Sequence, residues 1–126
     1  MIIFVGDEPS KHNIDPKVPF VGTNSYKILL DWICRMNIDI SQVYLCNRIS
    51  EDLSFWYHQY KQNSRCIRFV CLGEKADNKL RLDEIEIRFK LPHPSGLNRK
   101  LNDKEWLEEQ LAACKEWLDE QELLYN

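Results

Sequence analysis

The sequence predicts an α/β fold of three layers, α/β/α, around a central four-stranded parallel sheet. Three observations carry this expectation. Met1–Val5, Gln42–Cys46 and Cys66–Leu72 are short runs rich in β-branched, aromatic and other apolar residues that break into glycine or polar residues, as strands buried on both faces do. Between them lie stretches of helical periodicity, the alternation that makes βαβ units and parallel strands. Finally, Ile85, Ile87 and Phe89 alternate with Glu86, Arg88 and Lys90, which reads as an edge strand with one solvated face. Right-handed crossovers then place the strand ends near Asp7, Asn47, Gly73 and His93 on one rim. In open α/β sheets, ligands bind at that rim.

The elements follow in order. The first strand ends in Gly6-Asp7-Glu8-Pro9-Ser10, a rigid acidic turn, and Lys11–Pro19 is a polar loop holding two prolines. Thr23-Asn24-Ser25 can cap a helix whose apolar residues are Tyr26, Leu29, Leu30, Ile33 and Cys34, closed by Asn37. A second helix spans Leu53–Gln62, with bulk from Phe55, Trp56 and Tyr60, and a third runs from Gly73 to Leu82. Leu91-Pro92-His93-Pro94-Ser95-Gly96 makes a second rigid turn. Asn102-x-x-Glu105 reads as a capping box opening a final helix over Asp103–Leu124, with a core stripe of Leu107, Leu111, Cys114 and Leu118 flanked by Trp106 and Trp117.

Composition narrows the class. With 126 residues, 44% of them hydrophobic, residues 1–126 are expected to form a single domain with a real core. No apolar run approaches the roughly 20 residues of a membrane helix, and no leader pattern precedes the first strand, so a cytoplasmic location and no membrane partner are expected. The five cysteines have no Cys-x-x-Cys spacing; they read as reduced core residues, with no metal site and no disulfide framework. The net charge of −3 is unevenly spread. From Asp103 onward eight acids face two lysines, leaving 15 bases and 12 acids in residues 1–102. A weakly basic face toward nucleic acid thus remains open, and the acidic terminal helix is a candidate surface for a protein partner.

The rim gathers residues of complementary chemistry. Asp7 and Glu8 can orient water or stabilise a cationic transition state, Asn47 can read a base edge, and His93 can steady a developing anion. Phe20 can stack on a flat ring, and Asn98-Arg99-Lys100 is a basic loop. Neither Gly-x-Gly-x-x-Gly nor a Walker lysine follows the first strand, which argues against dinucleotide and nucleoside triphosphate sites.

The order of these pieces resembles the uracil-DNA glycosylase superfamily. Gly6-Asp7-Glu8-Pro9-Ser10 is similar to its first motif, Gly-x-x-Pro-Gly or Ser. Pro19-Phe20-Val21-Gly22 followed by Leu29-Leu30-Asp31 resembles the next segment of the thermophile-type, family 4 enzymes. Asn47 falls where the base-recognition asparagine stands, Leu72-Gly73-Glu74-Lys75-Ala76 resembles the third-strand segment, and His93-Pro94-Ser95-Gly96-Leu97 resembles the second catalytic motif. The resemblance runs along nearly the whole chain. It implies a base-flipping enzyme that hydrolyses the N-glycosidic bond of uracil or a modified pyrimidine in DNA. Asp7 or Glu8 would then activate water and stabilise the sugar cation, with Asp7 the closer match. Phe20 would stack on the flipped base, Asn47 would hydrogen-bond it and His93 would donate to the leaving base anion. Leu97 stands at the intercalating position, and Ser10, Ser95, Arg99 and Lys100 would hold phosphates.

The chain also departs from the pattern. Thermophile-type relatives carry an iron–sulfur cluster whose first cysteine pair precedes the opening strand; here that strand opens the chain, so no cluster and no other cofactor is expected. Asn13 stands where those relatives place an acid that helps exclude thymine, which leaves the choice of base open. Two alternatives stand beside the glycosylase: a catalytically silent relative that binds a base, nucleotide or protein, and an enzyme acting on a free nucleoside.

Overall fold

The computed structural model describes residues 1–7, 24–95 and 98–125. Among these, strands and helices alternate: β1 (Ile2–Gly6), α1 (Asn24–Arg35), β2 (Val43–Asn47), α2 (Glu51–Gln62), β3 (Arg68–Leu72), α3 (Glu74–Leu82), β4 (Arg88–Leu91) and α4 (Lys104–Tyr125). The strands form one parallel sheet in the order β2-β1-β3-β4. This is the three-layer α/β/α arrangement expected of the sequence, with β4 at an edge. β1 lies inside the sheet, and all five of its residues are buried, which is why its sequence is unbroken by polar residues.

Because side chains alternate along a strand, the sheet divides the core in two. Ile2 and Phe4 join Val70, Leu72 and Leu91 under α1 and α4, whose Leu29, Trp32, Ile33, Leu107, Leu111, Cys114 and Leu118 complete that face. Ile3 and Val5 join Cys46, Phe69 and Cys71 on the other side, under Leu53 of α2 and Ala76 and Leu80 of α3. The stripe foreseen for α4 is the one that is buried. That of α1 is rotated: Trp32 is 1% exposed and Cys34 is exposed, because Leu29, Trp32, Ile33 and Met36 recur at i, i+3, i+4 and i+7. Cys66 is exposed as well, so only Cys46, Cys71 and Cys114 are core cysteines. Burial pushes the thiols of these three up to about 12, which keeps them inert.

Helix ends account for the other shifts of boundary. Asn37 takes a left-handed conformation (φ +54°), with Ile38 N–H donating to Ile33 O at 3.1 Å and Asn37 N–H to Cys34 O at 3.0 Å. This is a Schellman cap. Glu84 (φ +63°) ends α3 in the same way, with Ile85 N–H donating to Leu80 O at 2.9 Å. Buried Ile85 therefore belongs to the cap of α3, and the edge strand begins three residues later than its alternation suggests. Its charged residues are not simply solvated either: Arg88 Nε donates to Asp77 at 2.8 Å and Lys90 Nζ to Glu74 at 2.8 Å, both acids on α3. α2 starts at Glu51, after Ser50. At α4 the cap is Asp103, whose carboxylate accepts Trp106 N–H at 3.0 Å, while Asn102 lies in a 3₁₀ turn (Arg99–Asn102). Among the described residues no helix is long and apolar enough to cross a membrane.

Candidate active site

The carboxyl ends of β1 and β2 meet in register, Gly6 opposite Asn47. Past them, Arg48 N–H donates to Gly6 O at 2.9 Å and to Asp7 O at 3.2 Å, which ties the two turns together. The Arg48 side chain completes the link: its Nε donates to Asp7 Oδ1 at 2.9 Å. Lys75, in the first turn of α3, brings Nζ to 3.6 Å from Asp7 Oδ2. Asp7 is thus held between two cations at the rim. Neither cation was among the sequence-predicted site residues. Arg48 directly follows Asn47, the only available hint, and nothing local links it to an acid 41 positions away.

Asn47 is 2% exposed and is the one buried polar residue among those described. Its backbone N–H donates to Ser50 Oγ at 3.0 Å, and its carbonyl accepts Ser50 N–H at 3.0 Å. The backbone is thereby fixed while the side-chain Oδ1 is buried without a hydrogen-bond partner among the described residues. An acceptor left so costs about 1–3 kcal/mol. A ligand N–H would recover it.

β3 and β4 supply the other half of the rim. Gly73 follows β3 with φ +94°, a conformation that L side chains rarely adopt, and its N–H donates to Leu91 O at 2.8 Å. Two residues beyond β4, the His93 carbonyl accepts Ser95 N–H at 2.9 Å and Asn98 Nδ2 at 3.2 Å. Asn98 Oδ1 also accepts Lys100 N–H at 3.2 Å, so the Asn98 side chain ties to the backbone at both His93 and Lys100. The His93 imidazole is held below its ordinary value, chiefly by burial; Asp7 opposes the shift and Lys75 adds to it. The ring is therefore neutral at neutral pH, with the Asp7 and Lys75 charges close enough to act on it.

The structure thus brings Asp7, Asn47 and His93 to one rim, with Ser95, Arg99 and Lys100 on the loop that leaves it; Arg99 and Lys100 are exposed. Glu8, Ser10, Phe20 and Leu97 lie outside the described residues, as does Asn13. Among the described residues no group of three His, Cys, Asp or Glu is placed to hold a metal. The cysteines do not fit an iron–sulfur cluster: Cys114 lies on one face of the sheet, Cys46 and Cys71 lie on the other, and Cys34 and Cys66 are exposed.

An α/β/α sheet that presents an acid, a buried amide and a desolvated imidazole at one rim carries groups able to hold a polar ring and act beside it. The sequence matches the family model of the Uracil DNA glycosylase superfamily over residues 1–115, and the chain belongs to that superfamily. Membership gives it a glycosylase-like function in general and points to DNA as its partner. No curated protein matches it.

Proposed function

We propose that the rim hydrolyses the N-glycosidic bond of uracil or a modified pyrimidine flipped out of DNA. The observation that carries this reading is the buried Oδ1 of Asn47, without a partner among the described residues. It lies one strand from Asp7, and the His93 imidazole across the rim feels the Asp7 charge. A pyrimidine ring bearing an N–H meets that acceptor, while the amide Nδ2 donates to a ring carbonyl. As the bond between C1′ and the ring nitrogen breaks, its electron pair goes to the base, and neutral His93 donates a hydrogen bond to the anion that forms. The sugar is left as a cation. Asp7, fixed by Arg48 and Lys75, stabilises that cation electrostatically, and water adds to C1′ with its proton passing to Asp7 or Glu8.

The remaining roles are carried by family resemblance: Phe20 stacking on the base, Leu97 entering the gap in the duplex, and Ser10, Ser95, Arg99 and Lys100 on phosphates. The test is a gel assay for alkali-labile abasic sites on single- and double-stranded DNA containing uracil and a panel of modified bases. Strand cleavage at the substituted position is expected. No cleavage on any substrate of the panel would remove the proposal.

A further inference from the structure

The turn after β3 carries more than the start of a helix. A Cβ placed on Gly73 would lie 3.1 Å from His93 Cβ, 3.5 Å from its Cδ2 and 3.7 Å from its Cα. Carbon atoms in ordinary contact sit about 3.5–4.0 Å apart, so the methyl of an alanine would press on the root of the histidine side chain. That root has little room to yield. Gly73 N–H holds Leu91 O at 2.8 Å, and beyond the ring the His93 carbonyl is held by Ser95 N–H and Asn98 Nδ2. Gly73 itself cannot easily rotate away, because its φ of +94° is open to glycine and strained for other residues. The bare backbone of Gly73 is therefore the floor on which His93 rests.

We propose that Gly73 is a positioning residue for His93: the missing side chain lets the imidazole sit down against the end of β3, in reach of the rim. The inference rests on the glycosylase reading for its catalytic consequence, but the placement of the ring can be measured without any reaction. A methyl at position 73 lifts the imidazole toward water and away from the site where the leaving base would be met. A displacement of about 1 Å is enough to cost up to about a hundredfold in rate.

The test uses the full chain with Gly73→Ala. His93 is one of three histidines, and His93→Ala identifies its ring signal in an NMR titration. In wild type that signal should titrate below an ordinary histidine, and in Gly73→Ala it should move back up; an unchanged titration in a folded variant would overturn the proposal. On uracil-containing single strands, Gly73→Ala should lower the single-turnover rate by about tenfold or more with DNA affinity within about twofold. It should cost nothing further in a His93→Ala background, and fully additive losses would contradict it. Should Gly73→Ala not fold, adding His93→Gly removes the Cβ it strikes. Recovery of the folded circular dichroism signal supports the contact; no recovery assigns the loss to backbone strain at φ +94° instead of the contact, and rejects it. If wild type excises no base, the glycosylase reading fails while the titration still decides whether Gly73 sets the ring.

Discussion

The two faces of the sheet and its carboxyl rim are built on opposite terms. On the faces, apolar side chains from alternate strand positions close against α1 and α4 on one side and α2 and α3 on the other. Trp32, Phe4 and Phe69 are almost wholly enclosed. At the rim, polar groups are gathered instead: the Asn47 amide oxygen is buried with no partner among the described residues, Gly73 at positive φ packs against His93, and the imidazole is desolvated. Polar groups gathered at the carboxyl ends of parallel strands in this way are candidates for function. The faces supply the free energy that lets the rim hold these polar groups out of water.

The largest effects should separate the two regions by what they disturb. Trp32→Ala should cost about 3–5 kcal/mol of stability, measured by urea denaturation, through the cavity it leaves. Asn47→Ala should leave stability almost unchanged, since it removes a buried acceptor that has no partner among the described residues. The same variant should lower base excision by about a hundredfold. A large loss of stability in Asn47→Ala would erase the contrast and make the amide a structural group. His93→Ala should lower turnover by about tenfold or more with little change in DNA affinity, because its hydrogen bond strengthens only as the base leaves.

The acid pair gives a sharper comparison within the rim. Asp7 is bound by Arg48 and Lys75, so Asp7→Asn both removes a charge and leaves two cations facing each other across a neutral amide. It should cost more activity than Glu8→Gln if Asp7 steadies the sugar cation. Equal full activity in both variants would undo the mechanism. A smaller effect concerns pH. Burial holds His93 below the ordinary imidazole value of 6.5, so on acidification the unfolded chain takes up a proton that the folded chain resists. The stability this histidine leaves intact above that value is lost as pH falls below it. Wild type should thus lose more stability than His93→Asn between about pH 7 and about pH 5. A parallel loss in both would mean the ring is not desolvated. Smallest of all, Glu84→Gly should stabilise by about 0.5–1 kcal/mol, because position 84 caps α3 at φ +63° where glycine is unstrained.

Much of this was legible in the order of residues, for identifiable reasons. Hydrophobic periodicity carries the strand and helix signal, so the apolar run Ile2–Val5 announced a buried strand and the turns after it announced a rim. The same periodicity misplaced the edge strand, because Ile85 satisfies both a strand alternation and the apolar position of a Schellman cap, and only the backbone hydrogen bond to Leu80 decides between them. Trp32 escaped the predicted stripe of α1 because a window centred on Leu29, Leu30 and Ile33 puts the helical face slightly to one side. In the site, Asp7, Asn47 and His93 were readable as strand-end residues. Arg48 and Lys75 were not, since their importance lies in reaching Asp7 across the sheet, a distance no local pattern encodes. Nor did Gly73 announce its contact with His93; glycine after a strand reads as a turn wherever it occurs.

The most direct measurement is whether a base is freed at this rim. DNA carrying uracil or a modified pyrimidine, incubated with the protein, should release the free base, detected by mass spectrometry, in step with the appearance of abasic sites. Release should nearly vanish in Asn47→Ala while that variant remains folded. No released base from any such DNA with the wild-type protein, or equal release with Asn47→Ala, would contradict the account.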